Sequence, residues 1–117
     1  MVLWSGPWSS SIYPVSFCNG TVSINLPPFN SIDDLNNKEL TIRITYNGVY
    51  KNETTETVKV KAAIQTYEGQ KSIVMISYFG TRKLSYIIQK IENDKMSGIY
   101  TLDVPYDKGT VILHKGQ

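Results

Sequence analysis

The stretch TVKVKAAIQTYEGQKSIVMISYFGTRKLSYIIQKIENDKMSGIYTLDVPYDKGTVILHK, residues 57–115, decides the fold of this chain. Its first part places apolar side chains at positions 58, 60, 62 and 64, with lysine at positions 59 and 61. A period of two puts alternate side chains on opposite faces of an extended strand. The pattern therefore predicts a β-strand over 57–67 with one buried face.

Turn residues interrupt this stretch at short and regular spacing. Predicted strands at 57–67, 71–79, 84–92, 97–104 and 110–115 are separated by turns at 68–69, 80–83 and 93–95 and by a loop at 105–109. Strands joined by such tight connections pair with their neighbours and form a meander. For 84–92 a short amphipathic helix stays open as an alternative, because Ile87, Ile88 and Ile91 have helical spacing.

The first half of the chain adds further strands. Alternation predicts strands at 4–10, 20–26 and 40–46, and a less regular one at 12–18, where Pro14 restricts the strand to an edge or a bulge. The dipeptide Asn47-Gly48 predicts a type I′ turn, because both residues tolerate the positive φ which that turn requires. Val49 and Tyr50 would then begin the return strand.

Residues 27–38 form the one long irregular segment of the sequence. Within it, Ser31 and Asp34 have the spacing of a capping box, which predicts a short helical turn. Because long loops on rigid scaffolds often carry function, we expect this segment to serve as a lid or as a contact loop.

The strand pattern as a whole indicates an all-β protein. We predict an antiparallel up-and-down meander of about eight strands that closes into a small barrel, with residues 1–117 forming a single β-barrel domain. A long meander closes most readily by curling into a barrel, because closure removes the free sheet edges. A two-sheet β-sandwich is the alternative architecture.

Composition limits the classes of function. Twelve Lys and Arg against ten Asp and Glu give a formal net charge of +2, which is too small to argue for a nucleic-acid or membrane partner. The single cysteine, Cys18, excludes an intramolecular disulfide framework. The first residues lack the basic start and apolar core of a signal peptide, and no apolar run reaches the roughly 20 residues of a spanning helix, so we expect a cytoplasmic protein.

The residue patterns nominate no catalytic or metal site, and we expect neither an enzyme nor a cofactor. His114 is the only histidine, so a histidine-based dyad would need Cys18, with which it shares no motif. Asp33, Asp34 and Glu39 could together ligate a hard cation, but they lack EF-hand spacing. A helix-capping or solvated loop is the favoured interpretation of that acidic group.

Two pentapeptides share the form Ser-Gly-x-aromatic-hydroxyl: Ser5-Gly6-Pro7-Trp8-Ser9 near the start and Ser97-Gly98-Ile99-Tyr100-Thr101 near the end. Glycine permits a sharp bend of the strand, and the aromatic ring two residues later lies on the same face, where it covers an end of the barrel. The first and the next-to-last strand approach one another when a meander closes. The repeated motif therefore supports closure.

A Gly-x-Trp motif in the first strand of a small β-meander resembles the signature of the calycin barrels, which comprise lipocalins, fatty-acid-binding proteins and the avidin group. The closing part, from Ser97 through Pro105-Tyr106-Asp107-Lys108-Gly109 to Leu113, is similar to the last strands of lipocalin-like barrels. The resemblance covers the two ends of the chain and implies the barrel fold. It implies no ligand, because the biotin-binding set of the avidin group maps onto no residues here.

Aromatic residues at strand positions are the candidate ligand-binding set. They are expected to line the barrel interior and are Trp4, Trp8, Tyr78, Tyr86 and Tyr100. Such side chains chiefly pack cores, but a barrel of about eight strands can also hold one small ligand. We expect a non-enzymatic binding or interaction module, with a small apolar or sugar-like ligand or a protein as its partner. The alternative is a structural or assembly protein that uses sheet edges or an aromatic patch for protein–protein contact.

Overall fold

The computed structural model describes residues 2–14, 18–48, 56–79, 82–104 and 106–116. Its strands are β1 (Val2–Ser10), β2 (Cys18–Leu26), β3 (Glu39–Gly48), β4 (Glu56–Tyr67), β5 (Gln70–Phe79), β6 (Arg82–Ile91), β7 (Lys95–Leu102) and β8 (Asp107–Lys115). Each strand pairs antiparallel with the next, and β1 pairs with β8. The predicted all-β meander and its closure into a barrel are confirmed, and the sandwich alternative is wrong.

The two Ser-Gly-x-aromatic strands come together as closure requires. They are β1 and β7, and they flank β8: Trp8 of β1 and Gly98 of β7 both lie opposite Val111. The two aromatic residues each sit across from a glycine, Trp8 from Gly20 and Tyr100 from Gly109. A Cβ at either glycine would overlap the ring opposite it, so these glycines make the room that the rings occupy.

The predicted strand at 12–18 is wrong where the structure describes it. Ile12, Tyr13 and Pro14 lie outside any strand, residues 15–17 lie outside the described residues, and Cys18 begins β2. The reason is local, because Ser10 Oγ accepts the N–H groups of Ile12 and Tyr13 at 3.0 and 2.9 Å. These bonds turn the chain immediately after β1 and take up N–H groups that a strand would need.

The type I′ turn at Asn47-Gly48 is also wrong. Both residues lie within β3, where they are opposite Asn19 and Cys18 of β2. Strand pairing overrides the local preference of these two residues for a turn, because the pairing with β2 extends to the end of β3. The connection at 49–55, with the predicted return-strand residues Val49 and Tyr50, lies outside the described residues.

Residues 82–91 form a strand, which excludes the helical alternative. A register shift between Ile88 and Lys90 inserts one residue, so that Ile88 lies opposite Gly98 and Ile91 opposite the buried Met96. A β-bulge of this kind redirects the side chains that follow it. It places two isoleucines three positions apart on the inner side, and that spacing is what imitates a helix.

The last two strands begin earlier than predicted. β7 starts at Lys95, and β8 starts at Asp107, within the predicted loop at 105–109. Asp107 lies opposite Leu102 and is 1% exposed. Its burial explains why the ladder extends to this residue, since a buried carboxylate needs fixed hydrogen-bond partners.

Inward-facing side chains fill the barrel with one contiguous core. Its buried members are Trp4, Trp8, Cys18, Val22, Ile24, Leu26, Leu35, Leu40, Ile42, Ile44, Val60, Ala62, Ile73, Met75, Leu84, Tyr86, Ile88, Met96, Tyr100, Val111 and Leu113. These residues come from all eight strands and from the segment between β2 and β3. The barrel is therefore packed along its axis.

The segment between β2 and β3 carries the predicted helical turn, a 3-10 helix at Ile32–Leu35. Ser31 and Asp34 form the predicted capping box, in which the Asp34 carboxylate accepts the Ser31 N–H at 3.2 Å. Leu35 is fully buried in the core. Among the described residues, the structure contains no helix with the length and apolar character needed to cross a membrane.

Candidate functional site

The barrel has two chemically different ends. At one end β1 begins at Val2 and β8 finishes at Lys115, and we call this end the mouth. At the other, β1 finishes at Ser10 and β8 begins at Asp107, and we call it the Asp107 end. The two ends separate the aromatic residues that the sequence analysis grouped together.

The structure brings three of the five candidate aromatic residues together in the Asp107 half of the barrel. Trp8, Tyr86 and Tyr100 are 3–6% exposed, and Tyr86 lies opposite Tyr100 in the ladder. Trp4 is buried at the mouth, away from them. The expected inward placement of Tyr78 is not observed, because this residue is 67% exposed on the outer face of β5.

Trp8 is the centre of the aromatic group at the Asp107 end. Its ring meets Tyr100 edge to face at a centroid distance of 5.5 Å, and Tyr46 at 6.1 Å. Its indole Nε1 donates a hydrogen bond to the Thr45 carbonyl oxygen at 3.0 Å. The indole thus spans from β1 to β3 and passes over Gly20 of β2. With these contacts, the Trp8 ring is part of the packed core.

A buried polar cluster completes this end. The Asp107 carboxylate accepts hydrogen bonds from Ser10 Oγ at 2.6 Å and from the Tyr100 hydroxyl at 2.9 Å, and Cys18 Sγ lies 3.8 Å away. Burial, and then the hydrogen bond to Asp107, raise the pKa of Tyr100 above its ordinary value. Tyr100 is therefore a protonated donor, and the cluster stabilises the barrel by satisfying buried groups.

The Asp107 end does not bring Cys18 and His114 together as a nucleophile and its base. Cys18 faces the carboxylate of Asp107, whereas His114 is exposed on the outer side of β8, where it lies opposite Ser5 and Lys95. A thiol is activated by a neighbouring cation or imidazole, and a carboxylate has the opposite charge. The arrangement is that of a structural cluster.

A cleft of about 350 Å³ opens at the mouth. Its lining residues are Val2, Trp4, Pro27, Pro28, Phe29, Asn30, Ile91, Glu92, Asn93 and Lys115. The Trp4 and Phe29 rings lie 6.5 Å apart and are tilted by 33°. The cleft therefore combines an aromatic and aliphatic floor with amide and charged groups, and its volume is at the lower end of the range of small-molecule sites.

Three features of the chain build this cleft. The bulge in β6 turns Ile91 toward the mouth, opposite Met96. Lys115 is the last residue of β8 and lies directly opposite Trp4, so it has the inward parity of Val111 and Leu113. Pro27–Asn30 extends β2 across the opening and brings Phe29 against the core. Strand register thus sets the positions of Trp4, Ile91 and Lys115.

Residues 27–38, predicted above to be a lid or a contact loop and called the lid below, are attached to one side of the mouth. Asn37 donates its N–H to the Ala62 carbonyl at 2.8 Å, and Ala62 donates to the Lys38 carbonyl at 2.9 Å. The Asn36 side chain accepts the Ile64 N–H at 3.0 Å. These bonds hold the lid on β4, whereas the cleft is lined by the first residues of the lid together with β1, β6, β8 and the turn after β6.

The acidic residues of the lid have structural partners. Asp34 caps the helical turn, and Asp33 forms an ion pair with Lys71 of β5 at 2.9 Å. The capping interpretation is confirmed. Within the described ranges, no three His, Cys, Asp or Glu side chains lie together in a way that could hold a metal ion.

Sequence reasoning found part of the mouth and missed the rest. It selected Trp4 and the lid segment, but not Ile91, Asn93 or Lys115. The position of Lys115 could have been predicted, because alternation along the last strand puts it on the same inner face as Val111 and Leu113. Ile91 carried no such signal, since its orientation depends on the bulge.

Comparisons of this chain with protein-family models, with curated proteins and with solved structures return no match. The architecture therefore rests on the strand order and register described above, and the calycin resemblance stays a prediction.

Proposed function

We propose that this protein is a non-enzymatic binding module that holds a small ligand at the mouth of a calycin-like barrel. The observation that carries the proposal is the cleft of about 350 Å³ with Trp4 and Phe29 on its wall. Apolar walls with a few polar groups are the usual composition of small-molecule sites. A flat apolar molecule or a sugar ring, packed against Phe29 and touching the edge of the buried Trp4, fits this chemistry.

The packed core restricts the ligand to the mouth. Below Trp4 the inward positions hold buried side chains such as Val22, Val111 and Leu113. A long chain would have to displace these side chains, and opening a cavity in a packed core costs several kcal/mol. The proposal therefore applies to compact ligands of about one ring, and not to chains that would run along the barrel axis.

The two tryptophans provide the test, because one lies at the mouth and the other at the Asp107 end. We would titrate the ¹⁵N-labelled protein with phenol, cyclohexanol and methyl glucoside, and follow both indole N–H signals by NMR. The proposal expects saturable shifts of the Trp4 signal, while the Trp8 signal, whose N–H is bonded to Thr45, stays in place. A Trp4→Phe variant assigns the two signals.

Two variants check the location of the effect. Asn93 is an exposed residue of the cleft rim, so Asn93→Trp obstructs the cleft without disturbing the core, and it should abolish the shifts. Tyr78→Leu on the outer face should leave them unchanged. Shifts that spread over the outer face, or the lack of any saturable shift at Trp4, would contradict the proposal.

A second function is favoured by the exposed apolar residues near the Asp107 end. Tyr78, Val104 and Tyr106 are 58–67% exposed. Lys83 lies opposite Tyr78 in the ladder and donates its N–H to the carboxylate of Asp103, next to Val104. The assembly alternative would use this aromatic patch, since every described strand has a partner on both sides and leaves no edge to share. Light scattering over a range of concentrations tests it: a strict monomer at high concentration would contradict it.

A further inference from the structure

We propose that the cleft selects small organic anions, with the apolar part of the ligand on Phe29 and Ile91, above the buried Trp4, and the anionic group at Lys115. This inference rests on the proposed function, and it adds the charge of the ligand. Its basis is the register of β8, which puts an ammonium group on the inner side of the strand at the one inward position that opens to solvent.

The position of Lys115 is fixed by its backbone and by its neighbours. Its N–H donates to the Asp94 carbonyl at 2.9 Å, and the next N–H, of Gly116, donates to the Leu3 carbonyl at 2.8 Å. Trp4 lies directly opposite it across the β1–β8 ladder. Side chains opposite one another in an antiparallel pair lie on the same face. Lys115 therefore projects beside the indole that forms the wall of the cleft.

Among the charged groups around the cleft, Lys115 is the one that a ligand would neutralise. Glu92 also lines the cleft, but its carboxylate is 3.5 Å from Lys90 Nζ on the outer side of the rim. Within the described residues three ion pairs occur, namely Lys59–Glu39, Lys71–Asp33 and Lys90–Glu92. Lys115 takes part in none of these. An anion is thus complementary to the cleft, whereas a cation would compete with Lys90 for Glu92.

The remaining polar groups of the cleft suit an oxyanion. Asn30 and Asn93 are among its lining residues, and an asparagine side-chain amide carries two N–H donors. A carboxylate has acceptor oxygens only, so it can take these donors together with the lysine. The apolar remainder of such a ligand would cover Phe29 and Ile91, which are partly exposed in the cleft. The chemical class is a compact ring that carries one carboxylate or a similar oxyanion.

Three isosteric probes test the inference: 3-phenylpropionate, 3-phenylpropionamide and 3-phenylpropylamine. Their affinities would be measured from the Trp4 indole shift and by calorimetry at low ionic strength. We expect the anion to bind about two- to fivefold more tightly than the amide, as an exposed charge pair permits, and the amine to bind most weakly. Raising the salt concentration to about 0.5 M should remove most of the preference, because it screens exposed charges.

Two lysine variants provide the matched comparison. Lys115→Gln should make the anion and the amide bind equally while amide binding stays unchanged. Lys95→Gln removes an exposed lysine from the same end of the barrel, on the outer side opposite His114, and should keep the preference. Stability of both variants is verified by thermal unfolding.

The outcomes separate this inference from the proposed function. Equal binding of all three probes at the mouth, or an anion preference that survives Lys115→Gln, overturns the anion selectivity and leaves the binding module in place. Tightest binding of the amine shows that Glu92 sets the charge preference, and it also overturns the inference. Lack of binding by every probe at the mouth contradicts both proposals.

Discussion

The rings of Trp8 and Tyr100 meet edge to face, with their planes at 82° and their centroids 5.5 Å apart. The two residues come from β1 and β7, which have β8 between them, so their contact exists only in the closed barrel. Aromatic pairs of this geometry contribute beyond the area that they bury. The contact is therefore a direct measure of closure.

A double-mutant cycle with Trp8→Leu and Tyr100→Leu should show a coupling of about 1 kcal/mol in the free energy of unfolding. The cycle removes the separate contributions of the Thr45 and Asp107 hydrogen bonds, which each single variant also loses. Urea denaturation of the four proteins provides the measurement. Additive effects would mean that the two rings stabilise the barrel independently.

Ser10 is expected to stabilise the barrel far more than its neighbour Ser9. Ser10→Ala removes a donor to Asp107 and leaves the N–H groups of Ile12 and Tyr13 without their acceptor, so it should cost about 1–3 kcal/mol. Ser9→Ala removes an exposed contact with Thr110 and should change stability by less than about 0.5 kcal/mol. Equal unfolding midpoints of the two variants would contradict the role assigned to the polar cluster.

Alkaline pH should destabilise the protein through its buried tyrosines. Burial, and then Tyr46, raise the pKa of Tyr86 above the ordinary 10.0, so above pH 10 the unfolded chain releases a proton that the folded chain retains. Because the folded pKa is the higher one, stability is present below pH 10 and falls as the pH rises, by about 1.4 kcal/mol per unit for one such group. Unfolding curves from pH 8 to 12 measure this slope.

The control for the alkaline effect is the exposed Tyr78. Tyr86→Phe should make the dependence of stability on pH less steep, with the contribution of Tyr100 remaining, and Tyr78→Phe should leave it unchanged, since the Tyr78 side chain is 67% exposed and keeps most of its contact with water in the folded state. Absorbance of tyrosinate at 295 nm gives an independent reading. Ionisation of Tyr86 below the unfolding transition would refute the explanation.

The strands and their closure were predictable because the sequence repeats the same signals many times. Alternation from Leu40 to Tyr46 and from Thr57 to Tyr67 marks one buried face, and the two Gly-x-aromatic motifs mark the strands beside β8. Features decided by a single tertiary contact were not predictable. Asn47-Gly48 has every local property of a turn, yet β2 provides pairing partners for both residues.

The inner and outer faces of β5 show a second limit. Ile73 and Met75 face inward, but Val74 and Ile76 on the outer face are apolar too, so alternation does not assign Tyr78 to a side. At the mouth a polar residue lies on the inner face: Lys115 has an inward position in β8, although its charge suggests an outward one. Both site errors have one physical origin, because register decides the face and composition only correlates with it.

Two buried serines of β5 should respond in opposite ways to the same substitution. Ser72 is 0% exposed and donates to the Gln70 carbonyl at 3.0 Å, so Ser72→Ala should cost about 1 kcal/mol. Ser77 is 5% exposed, and its Oγ finds no hydrogen-bond partner in the part of the chain that the structure describes. Ser77→Ala should therefore be neutral or stabilise by up to about 1 kcal/mol. Equal losses in both variants would show that Ser77 is satisfied.

The lid is expected to be held by its buried leucine and not by its ion pair. Leu35 is fully buried in the core, so Leu35→Ala should cost about 2–5 kcal/mol and loosen the covering of the mouth. Asp33→Asn removes the pair with Lys71, whose side chains are both 57% exposed, and should cost less than about 1 kcal/mol. Hydrogen exchange at the Asn37 and Ile64 amides reports lid opening directly, since both are bonded between the lid and β4. Faster exchange in Asp33→Asn than in Leu35→Ala would contradict this prediction. The ion pair would then contribute more to holding the lid than the buried leucine does.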